Sequence, residues 1–276
     1  MTTAATAAAA VRARAVRGRL WAAAAVTAVF ILLFLVLNIQ GDWKFALSRR
    51  LTVMGAVLLT ALATGGATVI FQTLTHNRIL TPGIIGLDSL YVLMQTAVVF
   101  VLGAASAAWT DALLHFVLSA GLLTLFAGSL YQGLFRTDKY NVYFILLIGL
   151  IAGTLFQSLA SFLQMIIDPN EFLITQSRTF ASFNNVRLHV LALAAGAVGL
   201  VALYVRPCLK YLDVLALGRE HAVNLGVDYP RIVRRLWTAV ILLTAVATAL
   251  VGPISFWATT ATRRFWPARC WRASAC

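Results

Sequence analysis

Long apolar runs separated by short polar stretches make up most of the chain. Seven runs are long enough to cross a bilayer, at about 20–37, 51–74, 84–102, 113–134, 142–167, 188–205 and 236–256. Each helical residue rises about 1.5 Å, so roughly 20 apolar residues cover the hydrocarbon core. Backbone amides cannot stay unpaired in lipid, which makes helices the expected spanning element. The pattern predicts an all-α polytopic membrane protein with about seven transmembrane helices. Composition agrees: of 276 residues, 61% are apolar and 11% charged, against about 25% charged in a soluble domain.

The charge pattern sets an expected orientation. The net charge of +13 would suggest nucleic acid in a soluble protein. Here the basic residues flank apolar runs, and no binding module accompanies them, so nucleic acid is not an expected partner. With the N-terminus inside, the inner segments hold thirteen basic residues and the outer ones five. The inner set is Arg12, Arg14, Arg17, Arg19, Arg78, Arg136, Lys139, Arg206, Lys210, Arg219, Arg231, Arg234 and Arg235. The outer set is Lys44, Arg49, Arg50, Arg178 and Arg187. The excess predicts a cytoplasmic N-terminus. Residues 1–19 then form a basic cytoplasmic extension, loose before Val11. The run after it exceeds a signal-peptide core and lacks a clean small-residue cleavage site.

Polar residues inside the spans carry the candidate chemistry. In the fifth run, Thr154, Gln157, Ser158, Ser161 and Gln164 recur at helical spacing and form one stripe. Such a stripe is costly against lipid, so it faces water or protein. A substrate pathway and hydrogen bonding between helices of one subunit both fit it. Gly149 and Gly153 form a GxxxG pair suited to close helix packing. Gln72 and Gln95 sit singly and read as structural hydrogen-bonding groups. Near the inner face, Asn77, Thr81, Pro82 and Gly83 break the helix, since proline removes a donor and glycine loosens the turn. Asp88, beside that bend and near the interface, reads as a cap of the third helix.

The inner stretch 206–235 is too polar to span and too patterned for a linker. Val214, Leu215, Leu217, Ala222 and Leu225 alternate with charges over 213–225, then Gly226 follows. One short amphipathic helix closed by glycine is expected, either docked on a partner or lying on lipid. The outer stretch 167–187 is long and partly polar. Arg178, Arg187, Lys44, Arg49 and Arg50 could meet an acidic partner or lipid phosphates. Cys208, Cys270 and Cys276 form no CxxC pair, so neither a disulfide framework nor a metal site is expected, and no cofactor. His76, His115, His189 and His221 lie near span ends or in loops, and no acid pair sits mid-span, which argues against a membrane enzyme.

Two segments resemble the permease family of bacterial ABC importers for iron-siderophores, haem and vitamin B12. In residues 61–96 the matching positions are Gly65, Gly66, Gln72, Asn77, Pro82, Gly83 and Gly86. In 215–256 they are Leu217, Gly218, Ala222, Leu225, Gly226, Val227, Gly252, Pro253, Ile254 and Phe256. The likeness implies a ten-helix permease, of which residues 20–256 supply seven helices. Its function would be to carry an iron chelate, with the ferric siderophore favoured, across the inner membrane without catalysing a reaction itself. A separate cytoplasmic ATPase, an extracytoplasmic substrate-binding protein and a second permease copy or paralogue would be partners. The stretch 206–235 would be the coupling loop, with Leu217, Gly218, Arg219, Glu220, His221, Ala222, Asn224, Leu225 and Gly226 on the ATPase. Asn77, Pro82, Gly83 and Gly86 would form the helix break, and the fifth-span stripe would wall the pathway. The tail 257–276 departs from the family pattern, and a frameshift or truncation near Trp257 is expected. A secondary transporter and a non-functional truncated permease are the alternative readings.

Overall fold

The computed structural model describes residues 18, 21–22, 24–36, 43–77, 80–103, 111–135 and 142–253. The tail 257–276, nearly all of the extension 1–19, and Arg78, Arg136 and Lys139 lie outside the described residues. Among those described, every regular element is helical. The helices are α1 (Ala24–Val36), α2 (Trp43–Thr75), α3 (Leu87–Leu102), α4 (Ala112–Phe135), α5 (Val142–Ile166), α6 (Pro169–Thr179), α7 (Leu188–Leu209), α8 (Leu212–Leu215), α9 (Arg219–Asn224) and α10 (Tyr229–Val251). One 3-10 turn, Pro82–Ile85, precedes α3.

The seven expected apolar helices occur in order. Five are long and apolar enough to cross a membrane, and Ala24–Val36 and α3 are shorter. At 16 residues, α3 covers only about 24 Å, less than a bilayer core of about 30 Å. Two boundaries move against expectation. Helix α2 begins at Trp43, so Arg49 and Arg50 are helical rather than in a loop. Helix α10 begins at Tyr229, so Arg231, Arg234 and Arg235 belong to it and not to the preceding loop. The reason is a local cap: Asp228 accepts a hydrogen bond from the Arg231 backbone N–H (3.3 Å), and Pro230 falls in the first turn, where no donor is missed.

Residues to Met54 form one compact unit and those from Gly55 a second. In the first, Arg50 Nη1 donates to the carbonyls of Phe34 (2.8 Å) and Leu35 (3.2 Å). Its guanidinium also lies 5.6 Å from the Phe34 ring centre. These carbonyls end α1 and have no partner within the helix, so the arginine serves as its C-terminal cap. The group expected to face an outside partner is thus already engaged within the chain.

In the second unit, α10 is the hub. It is 78% buried over its apolar window, against 22–28% for the other four long spans. Trp237, Leu236 and Val240 are fully enclosed, and the Phe71 ring meets Trp237 edge-on at 5.4 Å. Trp237→Ala would leave a large hole, costing about 3–5 kcal/mol. A clear fall in the thermal midpoint of the detergent-solubilised protein is expected. An unchanged midpoint would refute α10 as the hub.

Candidate translocation cleft and coupling loop

The break between α2 and α3 reaches deep into the bundle. His76 ends α2 with φ 51°, and the Pro82–Ile85 turn closes at Gly86 with φ 84°. A side chain on Gly86 would place its Cβ 2.7 Å from Gly153 Cα and 3.1 Å from the Gly149 carbonyl oxygen. The chain therefore crosses backbone to backbone against the middle of α5. This contact gives the GxxxG pair its partner. Irregular backbone at such depth is tolerated only when enclosed by protein. Pro82 and Gly86 are buried, and Gln72 Nε2 donates to the Leu80 carbonyl at 3.4 Å.

A second deep excursion is α6, in the stretch read from sequence as a loop. Asp168 caps it by accepting from the Asn170 N–H at 2.9 Å, Pro169 opens it and Glu171 lies in its first turn. Its start lies beside the end of α3: a Cβ on Gly103 would sit 3.6 Å from Glu171 Oε1. Its end, at Thr179 and Phe180, shares a cleft with Asp88 and Ser89 at the start of α3. Helix α6 thus runs back antiparallel to α3. Just beyond it, the Ser182 N–H donates to the Val251 carbonyl (2.9 Å). There a Cβ on Gly252 would lie 3.2 Å from Ala181 Cα, a second backbone crossing.

The space between these elements is a cleft of about 370 Å³, with Asp88, Ser89, Gln157, Gln164, Gln176 and Thr179 as its polar lining. The expected fifth-span stripe divides here. Gln157 and Gln164 line the cleft, and Gln164 Nε2 donates to Thr96 Oγ1 at 3.2 Å. Thr154, Ser158 and Ser161 are exposed on the outer side of α5. Thr154 and Ser158 return their hydroxyls to the Ile151 (2.8 Å) and Thr154 (2.9 Å) carbonyls of their own helix. They share that side with exposed Leu155, Leu159 and Phe162. Asp88 differs from expectation as a cap: the residue at the N-cap of α3 is Gly86, with Asp88 inside the first turn, where it lines the cleft.

Gln95 holds the structural role expected of it. It accepts from His115 Nε2 at 2.9 Å and donates to Ser119 Oγ at 3.1 Å, all three buried. Since the amide oxygen can only accept, the His115 proton sits on Nε2.

The inner stretch forms two short helices, α8 and α9, where one was expected over 213–225. Gly218 at φ 104° breaks the run and Gly226 at φ 78° closes it. Leu215 and Ala222 are buried, which anchors the loop in the core of the bundle. Leu217, Val223 and Leu225 are more than half exposed, with Arg219, Glu220, His221 and Asn224 exposed around them. An apolar patch with a charged rim is the usual form of a docking surface. His76 Nε2 contacts the Leu215 carbonyl at 3.0 Å. The loop is therefore tied to the residue that begins the helix break. Among the described residues, no group of three side chains could hold a metal ion.

Apolar helices around a polar cleft walled by broken segments define a multi-pass membrane permease. The chain belongs to the FecCD transport family, which matches residues 20–261. It is 49% identical over 228 residues to the petrobactin import system permease protein YclO of Bacillus subtilis, covering 83% of this chain and 72% of that protein. It is 32% identical over 209 residues to the petrobactin import system permease protein FatC of Bacillus anthracis, covering 76% and 59%. The ferric enterobactin transport system permease protein FepD of Escherichia coli is 27% identical over 224 residues, covering 79% and 64%. Among solved structures, a metal-chelate type ABC transporter in an inward-facing conformation aligns with a TM-score of 0.71 at 21% identity. That alignment covers 85% of this chain and 75% of the other, and shows the shared fold.

Proposed function

We propose that this chain is the membrane-spanning subunit of an ATP-driven importer that carries a ferric siderophore of the petrobactin kind through the bacterial inner membrane. The observation that carries the reading is the cleft between α3, α5 and α6. Its amide, hydroxyl and carboxylate groups sit where two broken segments meet mid-bundle, suited to a polar chelate. Relatives named for petrobactin import support the choice of substrate.

The chain performs no bond chemistry in this scheme. Cytoplasmic ATPase subunits seat on Leu217, Arg219, Glu220, His221, Asn224 and Leu225, and Gly218 and Gly226 let the loop pivot. His76 passes the displacement to the break at Asn77, Pro82, Gly83 and Gly86, which opens or closes the cleft. The outer side of α5, with Thr154, Ser158 and Ser161, faces a second permease subunit. An extracytoplasmic binding protein delivers the chelate, and the N-terminus lies in the cytoplasm.

Proteoliposomes holding the full chain with its ATPase and binding protein provide the test. ATP-dependent uptake of radiolabelled iron–petrobactin is expected, and no uptake above protein-free vesicles would defeat the reading. Gln157→Leu with Gln164→Leu is expected to cut that uptake about thirtyfold, since each removes a polar contact of about 1 kcal/mol. Asp88 in the cleft favours a second reading, a secondary transporter, because such proteins couple through acids at mid-depth. Uptake driven by an ion gradient without ATP, and lost in Asp88→Asn, would select it.

A further inference from the structure

We infer that the groove between the end of α7 and the start of α10 binds the phosphate of an anionic membrane phospholipid. A cleft of about 410 Å³ opens there, lined by Tyr204 from α7 and by Asp228, Arg231, Arg234, Arg235 and Thr238 around the start of α10. Three guanidinium groups face one carboxylate. That carboxylate is already committed: Asp228 Oδ2 pairs with Arg231 Nε at 3.2 Å. Arg234 and Arg235 remain in excess. Both lie in the second turn of a 23-residue helix, three and four residues after Arg231 and so on neighbouring positions of its surface. Like charges held together at that end are unfavourable unless an anion joins them.

The surroundings identify the anion's source. Arg235 lies against the Tyr204 ring, 6.0 Å from its centre, as an arginine and an aromatic meet at a membrane–water boundary. Beside Tyr204 and one turn further into the span, Leu203 and Leu200 of α7 are 64% and 71% exposed. A phosphate bound by the arginines would therefore lay its acyl chains along an apolar strip. A soluble phosphate has no use for that strip. Planar guanidinium forks also suit phosphate oxygens, and basic pockets between spanning helices favour anionic headgroups. Both leaflets present phosphates, so the inference is independent of the transport reading and of which side holds 206–235.

The full chain, purified in mild detergent, is tested by native mass spectrometry with cardiolipin, phosphatidylglycerol or phosphatidylcholine. Wild type is expected to retain the two anionic lipids and release the neutral one. Arg234→Gln with Arg235→Gln is expected to weaken anionic-lipid binding about thirtyfold, a factor of about five for each arginine at a lipid surface. Arg234→Lys with Arg235→Lys, which keeps both charges, should retain most of it. If the glutamine variant misfolds, the wild-type preference between charged and neutral lipid still decides. Equal retention of all three lipids would overturn the proposal. So would displacement by millimolar inorganic phosphate alone, or unchanged lipid binding in the glutamine variant with lost affinity for the ATPase.

Discussion

Gly86→Val is expected to prevent accumulation of the folded protein. Two costs coincide at this position. Gly86 holds φ 84°, a conformation that β-branched residues scarcely adopt. Its Cβ would also fall 2.7 Å from Gly153 Cα and 3.0 Å from Gly153 N. The obstacle is helix backbone rather than a flexible side chain, so the clash cannot be relieved by a rotamer change. Strain and overpacking together cost about 2–5 kcal/mol, comparable with much of a domain's net stability. Gly86→Ala should show the same effect in milder form. Gly65→Ala is the control, because no atom lies within 4 Å of a Cβ there. Size-exclusion profiles of detergent extracts would show the loss. A monodisperse Gly86→Val protein with wild-type thermal midpoint would show that the 86–153 crossing does not hold the break.

His76→Ala is expected to uncouple transport while leaving the fold in place. The Leu215 carbonyl can only accept, so His76 must carry its proton on Nε2 to bond it. The same carbonyl accepts from the Gly218 N–H at 3.1 Å. One oxygen therefore binds both the hinge of the coupling loop and the end of α2. Without the imidazole, the loop keeps its local bond but loses its link to the break. A hydrogen bond of about 1–1.5 kcal/mol corresponds to roughly a tenfold change in the docked population. ATP-dependent uptake should fall by about that factor with ATPase binding preserved. His76→Gln, which can still donate, should recover part of it. Equal uptake in wild type and His76→Ala would remove the link from the coupling route.

The spanning helices were legible in the sequence because membrane burial acts on every residue of a run. The length of the apolar runs marked all seven. Boundaries were less legible, since they depend on single capping contacts. Asp228 with Pro230 pulled Arg231, Arg234 and Arg235 into α10, and the same Asp–Pro signature at Asp168–Pro169 started α6. That signature, with Glu171 following, was present in the stretch read as a loop. Helix starts flagged by an N-cap acid and an early proline can therefore be found even where apolar periodicity is weak.

Tertiary meetings were the least legible part of the site. Gly86 and Gly153 each read locally, one as a helix break and the other as helix packing, yet nothing in spacing pairs residues so far apart. His76 and Leu215 are separated by 139 positions and share no pattern. The fifth-span stripe was half informative. Periodicity placed its five residues on one side of α5, but a helix side wide enough to hold them meets two environments. Gln157 and Gln164 fall toward α3 and α6, and Thr154, Ser158 and Ser161 fall outside.

The sidedness of the α8–α9 loop provides the most direct measurement. With Cys208, Cys270 and Cys276 changed to serine, a single Glu220→Cys would be exposed to a membrane-impermeant maleimide in sealed vesicles of each orientation. Labelling from the cytoplasmic face alone, blocked when the ATPase is bound, is the expected result. Labelling from the extracytoplasmic face, or labelling indifferent to the ATPase, would contradict a loop that nucleotide hydrolysis drives.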